Sequence, residues 1–217
     1  MPARNEARSI ERCLAPLQSW RARGVEVIVV DGGSGDDTVA HAQPLADRVC
    51  RHAPGRAAQM NAGAACASGG LLLFLHADTW LEDTAIQALQ ALPRGHVWGR
   101  FDVRLRSRHP VLRLVAAAMN LRSRATGIAT GDQCQFVSRS LFARVGGFPA
   151  QPLMEDVEIS RRLLGQVRPV CLRQRVSVSA RRWRQRGIFR TIVLMWWLRW
   201  RYWRGDDPAA LHRIYYP

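Results

Sequence analysis

Carboxylates at the ends of apolar runs are the residues of this chain best placed to do chemistry. In VIVVDGGSGDDT, Val27 to Thr38, a β-branched run delivers Asp31 to a rim, Gly32, Gly33 and Gly35 allow a tight turn, and Asp36 and Asp37 open a helix. An aspartate there can accept hydrogen bonds from a base or a ribose, although a plain strand-turn-helix with acidic caps has the same pattern. In GRAAQMNAGAACASGG followed by LLLFLHADT, Gly55 to Thr79, Arg56 stands at a helix start, where guanidinium and free backbone N–H groups can both face phosphate. Asp78 emerges just beyond a buried run ending at Leu75, where a carboxylate has no reason to pack. Beside a diphosphate it calls for Mg²⁺ or Mn²⁺, cations that take oxygen ligands and neutralise a leaving phosphate. His76 reads either as a polar strand cap or as a metal ligand.

Two further constellations follow. In LMEDVEISRRL, Leu153 to Leu163, Glu155 and Asp156 are adjacent and point in different directions from a helix start, while Glu155 and Glu158 share a face. One carboxylate aimed into a cleft can take a proton from a hydroxyl as general base; an acidic helix N-terminus is the plainer reading. In SARRWRQRG, Ser179 to Gly187, arginines flank Trp183. They can close over a diphosphate, contact nucleic-acid phosphates, lie on an anionic membrane, or form a solvated basic face.

The elements that must carry these residues alternate. Apolar spacing predicts a helix from Asn5 to Arg23, a strand from Val25 to Val30, a helix near Asp36, and a short strand from Arg48 to Arg51. An Ala-rich helix from Arg56 to Ala67 and an apolar strand from Leu71 to Leu75 come next. The second half is less regular, with strands at Val97 to Leu105, Gln133 to Val137 and Val176 to Val178, and helices at Val111 to Asn120 and Leu153 to Leu164. Strands apolar on both faces and separated by helices predict an α/β fold with a mostly parallel sheet covered on both sides. Ligands bind beyond the carboxyl ends of such strands, where Asp31 and Asp78 stand. A helix at the very start with no strand before it leaves the first strand missing or truncated, so an upstream strand is expected.

At 217 residues one domain is expected. The net charge is +15, and all 32 basic residues are Arg. Guanidinium holds its charge at any relevant pH and grips phosphate with two parallel hydrogen bonds, which points to an anionic partner. The five cysteines are widely spaced and form no CxxC pair, so neither a disulfide framework nor a zinc site is expected. With no leader and no apolar run long enough to span a bilayer, the expected location is cytoplasmic. Ile188 to Trp203 interleaves tryptophan with arginine, as an interfacial helix at the inner face of the membrane would; a packed C-terminal helix has the same pattern. A basic nucleic-acid-binding protein is the alternative from another class, but it leaves the acids at strand ends unexplained and no nucleic-acid motif accompanies the charge, so nucleic acid is not expected as a partner.

In order, these constellations resemble glycosyltransferase family 2 over essentially the whole chain. PARNEA at Pro2 to Ala7 is similar to the loop after the family's first strand, VDGGSGDDT to its nucleotide loop, HADT to its DxD motif, GDQCQFVSRSLFARVGGFP to its acceptor-side segment, and MEDVEIS to the motif with the catalytic base. GRAAQMNAG, FLHADT and MEDVE resemble more closely a bacterial subgroup associated with radical SAM and selenodomain proteins or arsenosugar biosynthesis. The resemblance implies a GT-A fold with a nucleotide-binding half at about 1–95 and an acceptor-binding half at about 96–217. It implies an inverting transfer from a nucleotide-sugar donor to an acceptor that is lipid-linked or a small molecule. By position, Pro2, Asn5, Glu6 and Asp31 would line the nucleotide pocket with Arg56 and Asn61 near it; Asp78 would bind metal and diphosphate. Asp156 would be the base, Glu155 its support, and Arg182 and Trp183 would stand in part for a QxxRW element. His76 replaces the first acid of DxD.

Overall fold

The β-branched run before Asp31 lies at the centre of the first of two sheets in the computed structural model, which describes residues 1–93 and 95–216. That sheet has the order β1 (Pro2–Ala3), β2 (Ile28–Asp31), β3 (Arg48–Arg51), all parallel, with Ala3 in register with Asp31 and Asp31 with Arg51. Ahead of the first helix, where the sequence reading leaves the first strand missing or truncated, Pro2–Ala3 form the two-residue strand β1. The crossover from β1 to β2 holds α1 (Ala7–Leu14), a 3₁₀ turn and α2 (Gln18–Arg21) in place of the single helix expected from Asn5 to Arg23. Pro16 accounts for the break, because it has no N–H to continue the ladder. The return to β3 uses the short α3 (Thr38–Ala42).

The chain continues through α4 (Arg56–Cys66), β4 (Leu71–Leu73), β5 (Thr79–Leu81), α5 (Asp83–Gln90), β6 (Trp98–Arg106), α6 (Pro110–Thr126) and β7 (Phe136–Ser138). It ends with α7 (Arg139–Arg144), α8 (Glu155–Leu164), β8 (Val170–Ser179), α9 (Arg181–Arg186), α10 (Ile188–Trp203) and α11 (Pro208–Tyr215). The second sheet has the order β4-β7-β6-β8-β5, with β6 and β8 parallel and the other pairs antiparallel. Parallel pairing, expected to dominate, thus fills the first sheet and the long β6–β8 pair. α4 packs on β1 and β2, α6 on β6 and α5 on β8.

Several boundaries have local causes. α6 runs past Asn120 to Thr126 and stops where Gly127 takes the left-handed cap conformation, φ 73°. Gly187, at φ 82°, divides the Trp- and Arg-rich segment into α9 and α10. α5 and α11, absent from the pattern reading, are short helices, and the Asp207 side chain caps α11 by accepting from Ala209 N–H.

The main core spans both sheets, joining Ile10, Leu14, Trp20 and Val29 to Phe101, Val103, Phe136 and Val176. Burying each such aliphatic or Phe side chain stabilises the fold by roughly 1.5–3 kcal/mol. A separate cluster of Leu153, Met154, Leu198, Leu211 and Tyr215 fastens α10 and α11 to the start of α8. Only Thr191 and Leu198 of α10 are fully buried; Phe189, Val193, Trp196, Trp200 and Trp203 are between 51% and 82% exposed. Their spacing puts them along one face of the helix, with Arg201 over the Trp197 ring and Arg204 over Trp200. Among the described residues no helix is long and apolar enough to cross a membrane. A cavity of about 410 Å³ between the sheets is bounded by apolar groups such as Val27, Ile28, Leu71, Leu73 and Ile86.

The β6–β8 pair allows no side chain at Gly99, where a Cβ would stand 2.0 Å from the Val170 carbonyl oxygen and 2.6 Å from the Phe136 ring. Gly99→Ala should therefore destabilise the protein by about 3 kcal/mol or more, read as a lower urea midpoint. A wild-type midpoint would mean that these strands do not meet in this register.

Candidate active site

Two loops at the ends of β1 and β2 are tied together by their own side chains. The Asp31 carboxylate, 1% exposed, accepts from the Gly33 and Ser34 N–H groups at 3.1 Å and from the Ser34 hydroxyl at 2.5 Å. Asn5, in the left-handed region at φ 54°, accepts from Gly35 N–H at 3.0 Å and donates its own N–H to Ser34 Oγ at 2.9 Å. Glu6 N–H donates to Thr38 Oγ1 at 2.7 Å, and the Glu6 carboxylate accepts from Ser9. Pro2, Asn5, Glu6 and Asp31 thus share one rim. Gln59, which the motif reading did not single out, links α4 to this rim by donating to the carbonyls of Ala3 at 3.0 Å and Val30 at 2.8 Å.

The start of α4 reaches a second cluster. Arg56 Nη1 lies 3.3 Å from Glu155 Oε1, across 99 residues of sequence. Desolvation works against the charge of Arg56, but Glu155, Tyr216, Asp156 and Asp132 outweigh it and raise its pKa. Glu155 is 2% exposed; burial first, then the neighbouring Asp156 charge, pushes its pKa up to about 7 against the pull of Arg56. The Asp156 carboxylate accepts from Gly131 N–H and from Val157 N–H, each at 2.8 Å. α8 therefore presents two neighbouring acids in different environments, as expected for side chains diverging from a helix start.

Asp132, beside Gly131, was not among the sequence candidates. Desolvation and the charge of Asp78 raise its pKa, with Asp156 adding to them and Arg182 and Arg56 opposing. It sits in a 3₁₀ turn, Gly131–Gln133, too short for any periodic pattern; the GDQ triplet inside the acceptor-side segment was the only available sign. His76 lies against Gly131: a Cβ there would be 2.6 Å from His76 Cε1. Desolvation, then the charges of Arg56, the chain's amino group and Arg182, push the His76 pKa down to about 3, so the imidazole is neutral.

Arg182 approaches from α9, hydrogen-bonded to the Tyr215 hydroxyl, with its guanidinium 5.3 Å from the centre of that ring. Trp183, its neighbour, packs against the main core. Asn61 clamps the backbone of Phe148, donating to its carbonyl and accepting from its N–H, both at 2.9 Å. Of the sequence candidates, Arg56, Asp78, Glu155, Asp156 and Arg182 come together with His76 and Asp132, while Asn61 and Trp183 hold the scaffold around them. None of the acids in this cluster lines the cavity between the sheets.

Among the described residues no three His, Cys, Asp or Glu side chains form a ready-made metal cage. Asp78 and Asp132, linked by the charge of Asp78 that raises the Asp132 pKa, are nevertheless the kind of oxygen donor that Mg²⁺ or Mn²⁺ uses when substrate phosphates complete the coordination.

Solved proteins share this architecture. S. aureus TarS, residues 1–349, is similar with a TM-score of 0.66 at 19% identity, over 82% of this chain and 59% of that one. A mannosyltransferase from Pyrobaculum calidifontis, in complex with GDP-Man and Mn²⁺, gives 0.62 at 22% identity over 81% of this chain and 54% of that one. Glucosyl-3-phosphoglycerate synthase from Mycobacterium tuberculosis, in complex with Mg²⁺ and UDP, gives 0.58 at 19% identity over 82% and 68%. What they share with this chain is the α/β GT-A fold. An uncharacterized glycosyltransferase of Mycobacterium tuberculosis is 36% identical over 160 residues, 66% of this chain, which spans 59% of that relative's length. Residues 1–131, more than half of the sequence, match glycosyl transferase family 2, and the chain belongs to that family.

Proposed function

We propose that this protein is an inverting glycosyltransferase that moves a sugar from a nucleoside-diphosphate donor to an acceptor hydroxyl, with Asp156 as general base. The observation that supports it most is the Asp156 carboxylate, held by Gly131 N–H at 2.8 Å and within reach of the charges of Arg56 and Asp132. The acceptor oxygen attacks the anomeric carbon as the bond from that carbon to the β-phosphate oxygen breaks. The hydroxyl proton passes to Asp156, and the bonding pair leaves on the diphosphate. One such displacement inverts the anomeric configuration.

Arg56 and Arg182 supply fixed positive charge for the departing diphosphate. Glu155, through its pair with Arg56, positions that guanidinium. Asp78 and Asp132 would hold Mg²⁺ or Mn²⁺, which when bound neutralises the leaving group. The rim of Pro2, Asn5, Glu6 and Asp31 would receive the nucleoside, so that 1–95 is the donor half and 96–217 the acceptor half of one cytoplasmic domain. The motifs GRAAQMNAG, FLHADT and MEDVE support the radical SAM/selenodomain-associated subgroup within the family. The nucleic-acid reading is not favoured, because a groove tracking phosphates would be opposed by the carboxylates of this cleft.

Asp156→Asn should lower sugar transfer by roughly 10²–10⁴-fold while the melting-temperature rise on adding UDP- or GDP-sugar with Mn²⁺ is kept. Transfer at the wild-type rate would overturn the assignment.

The exposed apolar face of α10 supports contact of 188–203 with an anionic bilayer surface. Phe189 to Trp203 span roughly 21 Å of helix at 1.5 Å per residue, and Arg190, Arg201 and Arg204 complement lipid phosphates. The protein should float with vesicles containing phosphatidylglycerol, less so as salt rises, and not with phosphatidylcholine alone. Replacing Trp196, Trp200 and Trp203 by Ser should weaken flotation by about tenfold or more, since each loses an interfacial anchor; unchanged flotation would remove this face from membrane binding.

A further inference from the structure

Two of the five cysteines, far apart in sequence, meet on the side of α4 away from Arg56. Cys50, in β3, and Cys66, the last residue of α4, bring their sulfurs to 3.7 Å, with the Cys50 thiol donating to Cys66 Sγ. Both are half-buried, so a small oxidant in solvent can reach them. The other three stand apart. Cys13 is buried and donates its S–H to the Ala77 carbonyl, Cys134 is buried, and Cys171 lies on β8 in register with Arg100.

Packing of α4 on the first sheet explains the meeting. Val30 and Cys50 are register partners on β2 and β3, so their side chains share a face. α4 crosses that face closely: a Cβ at Gly63 would stand 3.1 Å from Val30 Cγ2. Cys66 follows Gly63 by three positions, on the same side of the helix, and so arrives over the strand beside Val30. Arg48, two residues before Cys50, fastens the junction by donating to the Cys66 carbonyl at 3.3 Å. Burial and the bond to Cys66 hold the Cys50 thiol above its usual range, while the charge of Arg48 pulls the other way.

We propose that Cys50 and Cys66 are an oxidative modification site that closes under peroxide into one disulfide, stapling the end of α4 to β3. One thiolate attacks a peroxide oxygen; the O–O bond breaks, the sulfur gives up two electrons to become a sulfenic acid, and hydroxide leaves. The second thiolate attacks that sulfur, so that the S–S bond forms as the S–O bond breaks and a second hydroxide departs. The two hydroxides take up the two thiol protons, and two thiols and one peroxide have become one disulfide and two waters. Sulfurs already in contact need only side-chain rotation to reach the bonded distance of about 2.05 Å. The bridge joins positions 16 apart and shortens the unfolded chain's freedom by that loop. Arg56 lies ten residues earlier, about 15 Å along the helix, so the staple holds α4 at the end remote from the acids.

The test treats the folded full chain with hydrogen peroxide, alkylates the remaining thiols and maps the peptides by mass spectrometry. Cys50 and Cys66 should be recovered as one linked pair that dithiothreitol releases, formed faster as pH rises because the thiolate is the attacking form. The bridged protein should melt about 5 °C or more above the reduced protein, as expected for a loop of this length. Cys50→Ser and Cys66→Ser should each lose both the link and the gain in melting temperature, and Cys171→Ser should keep both. Recovery of Cys50 and Cys66 as free or singly oxidised thiols would overturn the pair, as would linkage of either to Cys171 or to a second chain. A bridged form that melts no higher than the reduced one would overturn the staple. The wild type cycled between peroxide and dithiothreitol carries both readouts by itself, so a serine variant that fails to fold leaves the test intact.

Discussion

The hydrogen bond from Gly131 N–H to the Asp156 carboxylate, 2.8 Å long, is the contact on which the site depends. It joins the start of α8 to the Gly131–Gln133 turn, and the same glycine lets His76 approach as no other residue would. Segments distant in sequence thereby meet at one point. The turn is fixed by a reciprocal capping arrangement between Thr130 and Gln133. Gln135 reinforces it from the other side, donating to the Asp156 carbonyl at 3.1 Å and to Ser160 Oγ at 2.8 Å. Met154 enters α8 in the left-handed region, φ 63°, a conformation that costs a non-glycine residue about 1–3 kcal/mol. Its burial against Leu198 holds it there, so packing of the C-terminal helices sets the direction in which Glu155 and Asp156 leave the helix.

Charge is distributed unevenly around that point. Acids are scarce, 17 against 32 arginines, yet Asp78, Asp132, Glu155 and Asp156 converge with Arg56 and Arg182 between them. Burial and the neighbouring acids raise the proton affinity of Glu155 and Asp132, and the arginines oppose them. Glu155 near 7 is the visible result. His76 shows the opposite side of the same field: desolvation first, then the arginines, keep it uncharged where the family motif has an acid.

Residues at the ends of regular elements were legible in the sequence because an apolar run makes its terminus conspicuous. Asp31, Asp78 and the Glu155–Asp156 pair were found that way, and β3, α4 and β6 were placed nearly to the residue. Asp132 was not, since a three-residue turn carries no period and its neighbour across the cleft is 54 positions earlier. Asn61, placed near the pocket by its motif, also clamps Phe148, and Trp183, a part stand-in for QxxRW, also packs on the main core; polarity and aromaticity in the sequence do not show these scaffold contacts.

The positive charge of this molecule is carried entirely by guanidinium groups. They stay protonated far above any physiological pH and lack the amine that acetyl transfer would neutralise. On α10 that makes the basic border of the tryptophan stripe permanent. The bilayer contact proposed for this helix would therefore have no lysine-acylation switch for letting go. Its strength would be set from the other side, by how much anionic lipid the membrane displays and by the ionic strength between them.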